Sequence, residues 1–156
     1  MSGSLHTWYS LPDLDRLAER GAVLEGEIEL ERLPRLKDVL HADSGNVSAG
    51  LRLGKRSGGW LTVELRYEAT VMLECQRCLE PLAHRVNERV EIALLENESM
   101  EKFLPEGCEP FLLEDGRFSP AQLIEDELIV SLPLVPRHER SDQCGSLARS
   151  LQSRDV

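Results

Sequence analysis

Two cysteines separated by two residues, Cys75 and Cys78 in the stretch LECQRCLEPL, are the strongest candidates for chemistry in this chain. A C-x2-C pair on a hairpin loop supplies half of a tetrahedral metal site, of the kind zinc occupies. The second half has to come from elsewhere. His138 and Cys144 are the best source, with Cys108 as a substitute. Five residues separate His138 from Cys144, wider than the usual spacing of a cysteine pair. A redox couple is a second reading, but it needs the first thiol at a helix N-terminus, where the dipole lowers its pKa. Here the first thiol ends a strand pattern. In a third reading Cys75 simply continues a buried face and Cys78 tightens the turn. On the residues alone, the metal and turn readings both stand.

Other chemistry is hard to find. The chain contains no Walker loop, no HExxH and no Gly-x-Ser-x-Gly. Glu125, Asp126 and Glu127 are consecutive, and consecutive residues of a helix point in different directions, so they read as a solvated face. His138 without neighbours on a polar tail reads as an exposed group, not a base. An enzyme is therefore not expected.

The pair must be positioned by its flanking elements. From Leu61 to Cys75 every odd position is apolar, and Met72 alone breaks the polar series between. This is a long strand with one buried face. Leu82, Val86, Val90, Ile92 and Leu94 continue a period of two, with His84 and Glu88 as misfits on that face. Two antiparallel registers keep the faces in phase. One sets Glu68 against Arg89 and Arg66 against Glu91; the other sets Arg66 against Arg89 and Glu64 against Glu91. Opposite charges directly across a ladder help by about 0.2–1 kcal/mol per pair. The first register is therefore expected, with Val71 facing Val86 and the ladder closing at Cys75–Leu82. Arg66 and Arg89 then have structural partners. Arg77 and Arg85 have none assigned and are the freer basic groups.

The remaining elements are shorter. Residues 10–20 read as a helix capped by Ser10 or Asp13 and stopped by Gly21. Residues 22–31 alternate as a strand with an acidic face. Leu33, Leu36, Val39 and Leu40 have helical spacing after Pro34, and NVSAGLRL reads as a strand. An acidic loop covers 96–110, and PFLLEDGRF suggests a hairpin about Asp115–Gly116. Ser119, Pro120 and Gln122 mark the start of a helix that Pro133 ends. The expected fold is α+β: a twisted antiparallel sheet, open or curled toward a barrel, with a few helices on one side. Residues 1–136 read as one domain and 137–156 as a polar, mobile tail.

Composition narrows the function. Eighteen basic and 28 acidic side chains give a net charge of −10. That argues against a broad, non-specific grip on nucleic acid. Residues 96–136 concentrate it, with ten carboxylates against two basic side chains. Aromatic residues make up 4% of the chain, few for a base-stacking platform. No apolar run is long enough to span a bilayer, and MSGSLHTWYSLPDLDR lacks the pattern of a secretory signal. A cytoplasmic location is expected, where cysteines are thiols or ligands rather than disulfides.

Taken together, LECQRCLEPLAHRV, then FSPAQLIEDELIVSLPLVPRH and a trailing Cys144 resemble the YceD family of large ribosomal RNA subunit accumulation proteins. The resemblance covers about residues 60–145, with two separated motifs in the right order. It implies a bacterial cytoplasmic protein that supports synthesis, processing or stability of large-subunit (23S) rRNA. Some members carry several paired cysteines at the C-terminus; here that segment offers His138 and Cys144. The expected partners are the large-subunit rRNA precursor or ribosomal proteins, with Arg77 and Arg85 as contacts and no membrane or small-molecule substrate. A metal-dependent RNA-processing enzyme and a zinc-stabilised RNA-binding module are the alternatives.

Overall fold

A two-stranded ribbon much longer than the average strand organises the chain. The structure is a computed structural model that describes residues 5–138 and Cys144. Strand β4, Trp60–Glu74, runs antiparallel to β5, Pro81–Leu95. Along β4 the odd residues from Leu61 to Leu73 are buried, as the period of two requires. β3, Asn46–Arg56, flanks β4, and β2, Val23–Glu29, pairs with β3, both antiparallel.

The register of the β4–β5 hairpin corrects the charge argument. Arg66 faces Arg89, Glu64 faces Glu91, and Val71 faces His84 where Val86 was expected. The charges are satisfied along the diagonals and along β4 itself instead. Arg89 reaches Glu64 at 2.7 Å and Arg66 reaches the same carboxylate at 3.5 Å. Arg85 reaches Glu68 at 2.9 Å. Glu91 is held by both arms of Arg56, at 3.0 and 2.8 Å, which frees it from any need for a partner on β4. Long side chains span diagonal neighbours easily, so direct opposition was too narrow a test. The ladder's last pair is Glu74–Pro81.

A fifth strand, β6 at Glu109–Leu112, pairs parallel with β5. The sheet is thus mixed and open, in the order β2–β3–β4–β5–β6, not a barrel. Parallel pairing needs a crossover, and residues 96–108 supply one through a 3-10 segment at Glu98–Phe103. The predicted 110–118 hairpin survives only as its turn. Asp115 and Gly116 take φ of 52° and 70°, and Glu114 bridges Arg117. The next strand, β7 at Arg117–Phe118, then joins a separate ribbon with β1, Tyr9–Ser10.

One face of the sheet is covered. Helix α1, Leu11–Glu19, starts with a capping box: Ser10 Oγ accepts from Asp13 N, and Ser10 N donates to Asp13. Leu14 and Ala18 share its buried stripe. Helix α2 is only Pro34–Lys37; the expected extension to Leu40 fails, and Val39 is exposed. Helix α3, Pro120–Ser131, adds Leu123, Ile124 and Leu128 to the same core. Its N-cap Ser119 accepts from Gln122 N, while the Gln122 side chain turns to Glu114. Leu5 lies over Gly26, where a Cβ would come within 3.3 Å of its Cδ1, and its carbonyl accepts from Ala121 N. No helix among the described residues is long and apolar enough to cross a membrane.

The carboxylates of α3 are not a solvated face throughout. Glu125 is buried and accepts from the Arg35 and Leu36 amides at 2.9 and 3.3 Å and from Arg35 Nε at 3.0 Å. It therefore serves as an N-terminal cap for α2 from 90 residues away. Asp126 meets the other arm of Arg35 at the surface. Glu127 is half-buried. Burial, the nearby charge of Glu109, a hydrogen bond with Glu109 and the charge of Asp126 push its pKa from 4.5 to about 7.

Two outcomes follow from this helix. Glu125→Ala should cost about 2 kcal/mol in urea unfolding, because it strands buried amide donors, while Asp126→Ala should stay within about 0.5 kcal/mol. Glu127 binds a proton in the folded state at pH values where the unfolded chain has released it. Stability should therefore fall as pH rises from about 4.5 to about 7 through this group. Glu127→Gln should reduce that slope and raise the unfolding midpoint at pH 8, as measured by denaturation across the same pH range.

Candidate metal centre

The tip of the β4–β5 hairpin is built to turn two thiols the same way. Cys75 N donates to Glu80 O at 3.0 Å, closing the ladder. Leu79 N then donates back to Cys75 O at 2.7 Å, which winds residues 75–79 into a single turn. Leu79 adopts a left-handed φ of 63° to leave it. Cys75 and Cys78 therefore lie on one side of the tip, and both are buried.

The other two donors arrive from beyond α3. Leu132 caps the helix in an extended conformation, and Pro133 and Pro136 bar any return to helix. Gln76 N donates to Pro136 O at 2.8 Å, docking this arm onto the tip. Two residues later His138 Nδ1 stands 3.5 Å from Cys78 Sγ and 3.5 Å from Cys144 Sγ. Cys144 Sγ is 3.9 Å from Cys75 Sγ. All four donor atoms lie within 4.8 Å of one another.

Those distances are the edges of a coordination tetrahedron. Metal–sulfur bonds of about 2.3 Å and metal–nitrogen bonds of about 2.0–2.1 Å give tetrahedral edges of about 3.8 Å between sulfurs and about 3.5 Å between sulfur and nitrogen. The residues fit a metal ion in donor type, number and spacing. The wide His138–Cys144 interval is no obstacle, because both residues reach the tip.

Electrostatics favour the same chemistry. Burial pushes the Cys75 thiol up, but the backbone N–H groups of His138, Cys78 and Arg77, with the Cys78 side chain, bring it down to about 6. Cys144 goes the other way, to about 11: burial, its hydrogen bonds to Cys78 and Cys75, and their charges all disfavour a second thiolate. Three thiolates in this space need a cation among them.

Sequence reasoning named these four residues and missed what brings them together, the Gln76–Pro136 hydrogen bond. Cys108, the substitute ligand, is not in this group; it sits beside Arg56 and Glu91, and burial raises its thiol. The expected mobile tail lies outside the described residues, apart from Arg137, His138 and Cys144. Of the two basic candidates, Arg77 is on the tip itself, and its guanidinium makes no hydrogen bond or ion pair among the described residues. Arg85 was expected to be free but is paired with Glu68. Beside the centre a cleft of about 570 Å3 opens between Leu82 and His84 of β5 and Pro133, Val135 and Arg137 of the arm. Leu134 on that arm is fully exposed.

An open mixed sheet whose longest hairpin ends in a Cys3His cluster is the class of protein that fold and site define. A family model described as "Large ribosomal RNA subunit accumulation protein YceD" matches residues 63–155, the stretch that holds the hairpin, α3 and the cluster, and the chain belongs to that family. A Haemophilus influenzae protein named "Large ribosomal RNA subunit accumulation protein YceD" is 39% identical over 82 residues. That alignment covers 51% of this chain and 45% of the relative, so the chain spans less than half the length of that protein. No solved structure matches.

Cobalt(II) provides a direct check of the geometry. One equivalent added to reduced protein should give the intense visible bands of a tetrahedral thiolate site and raise the melting temperature. Cys144→Ser should lose both effects. The affinity should weaken as pH falls from 8 to 6, because the ligands must shed protons to bind.

Proposed function

We propose that this protein is a non-catalytic cytoplasmic factor that supports the accumulation of large-subunit ribosomal RNA, with a structural zinc ion tying its C-terminal arm to the hairpin tip. The observation that carries this reading is the coincidence of the family match with the parts that build the site. Residues 63–155 include all of β5, β4 from its fourth residue onward, and all four ligands. Cys75, Cys78 and Cys144 with His138 form the donor set of a closed structural zinc site, which leaves no open position for a substrate or an activated water. The ion would supply folding energy and hold the arm, not chemistry.

Charge distribution supports a local contact over a broad one. The cleft beside the centre brings His84 and Arg137 together, and Arg77 stands on the hairpin tip, on a chain of net charge −10. Arg77 is the group best placed to meet an anionic partner, with Arg85 nearby on β5. The acidic stretch 96–136 repels polyanions and suits basic ribosomal proteins. The partner is therefore a large-subunit precursor particle, met through its RNA at the tip and through its proteins elsewhere.

The test is affinity purification of the tagged protein followed by gradient sedimentation. Large-subunit precursor RNA or proteins should be recovered, and Arg77→Glu should reduce recovery severalfold, more at 50 mM than at 200 mM salt. Recovery of neither ribosomal protein nor ribosomal RNA would overturn the proposal.

A further inference from the structure

The open sheet has two edges, β2 and β6, and they are protected differently. An edge strand carries a row of unpaired N–H and C=O groups that another chain can adopt. β6 is four residues long and contains Pro110, which blunts its edge. β2 runs for seven residues without a proline. Its hydrogen bonds show which backbone groups are left over. Ala22 O accepts from Leu53 N and Leu30 N donates to Gly45 O, each at 3.0 Å. Both bonds continue the register that sets Leu24 against Leu51 and Ile28 against Val47. Residues of an antiparallel strand alternate between bonding one side and the other. The even-numbered residues therefore bond β3. Val23, Glu25, Glu27 and Glu29 aim their backbone groups at the open edge, where no strand among the described residues pairs with them.

The side chains of those residues share the solvated face of the sheet. Glu25, Glu27 and Glu29 are all exposed, and their neighbours across on β3 are the uncharged Gly50, Ser48 and Asn46. Glu27 accepts from Ser48 Oγ at 3.3 Å, and none of the three makes an ion pair with a described residue. A hollow of about 660 Å3 opens over Glu25, Glu27, Ser48 and Gly50, bounded by Arg66 and Glu68. Arg66 is turned to Glu64, and Glu68 is held by Arg85. Arg52, opposite Val23, makes no ion pair with the row. Further along the chain, a hydrogen bond with Glu29 and the charge of Glu29 hold the Glu31 carboxyl above its ordinary value, a sign of uncompensated negative charge.

Backbone and charge together select the occupant. A strand added antiparallel to β2 sets residues directly opposite Glu25, Glu27 and Glu29, on the same face and at every second position. Lys or Arg at those positions meets three carboxylates, and the hollow has room for their stems. A second copy of this chain is disfavoured, because β2 paired with itself about Glu27 opposes Glu25 with Glu29 and Glu27 with Glu27. A polyanion is repelled by the same row.

We propose that the β2 edge docks an extended segment of a basic protein with Lys or Arg at every second position, added as a sixth, antiparallel strand of the sheet. The proposal rests on the reading above that ribosomal proteins are among the partners, and it assigns them a surface outside the hairpin tip.

The test uses the full chain and a labelled peptide, long enough to span β2, that alternates Lys or Arg with Val or Thr. Fluorescence anisotropy at physiological salt should show saturable binding. A peptide of the same composition with its basic residues in one block should bind about tenfold more weakly. N-methylation of the Lys and Arg amides, which face β2, should weaken binding at least as much, and N-methylation of the Val and Thr amides, which face away, should cost little. On the protein side, Glu25→Lys combined with Glu27→Lys should weaken binding about tenfold or more. Glu27→Pro removes an outward N–H that β3 does not use, so it should abolish binding while the melting temperature stays near that of the wild type. Equal affinity for the alternating, block and Lys/Arg-methylated peptides, or for the wild type and the double Glu→Lys variant, would overturn the edge, as would a wild-type dimer that Glu27→Pro dissociates. If the edge fails and the protein still sediments with large-subunit precursors, the docking proposal falls and the proposed function stands. If the protein takes the alternating peptide as described but sediments with no precursor, the edge stands and the proposed function falls.

Discussion

Three thiols and an imidazole gathered within 4.8 Å of one another impose the constraint that the rest of this chain serves. Buried thiols gain nothing from such crowding by themselves, because each ionised sulfur makes the next harder to ionise. A cation reverses that balance. A bound ion would turn mutual repulsion into a shared attraction and would tie the arm to the hairpin tip. On the zinc reading proposed above, stability at this end of the molecule would depend on coordination more than on packing. Among the described residues Leu82 is the one apolar side chain packed against the cluster, whereas the main core holds over two dozen residues.

The long hairpin makes the constraint attainable. Its buried stripe anchors one end in the core beneath α1 and α3, and the other end projects the Cys75–Cys78 turn. The arm after α3 is kept extended by Pro133 and Pro136, and the Gln76–Pro136 bond docks it on the tip. Helix α3 is itself located by Glu125, whose carboxylate caps α2 and so fixes where the arm starts. A chain of local choices, cap to helix to proline arm, ends in a coordination geometry.

Much of this was legible in the residues. Strict alternation from Leu61 to Leu73 identified the hairpin and its buried face, because burial on one side of a sheet imposes a period of two whatever the partners. The C-x2-C spacing identified the half-site, since that interval suits a turn that presents two thiols together. The register was not legible from charges. Arg85, Arg89 and Arg56 are long enough to reach diagonal or third-strand carboxylates, so direct opposition carried less weight than it was given. Glu125 was hidden by its neighbours: three successive acids do not reveal which one faces a distant helix end. The parallel β6 straddled the end of the expected acidic loop and the first arm of the expected 110–118 hairpin, and four residues of EPFL carry too short a pattern to show which strand they pair with. These failures concern side-chain reach and long-range pairing, which a one-dimensional pattern does not encode.

Native mass spectrometry of freshly purified, reduced protein tests the central claim most directly. One zinc ion per chain is expected, removed by a strong chelator and absent from Cys144→Ala. Wild-type protein without metal, or Cys144→Ala that keeps its ion, would contradict the account.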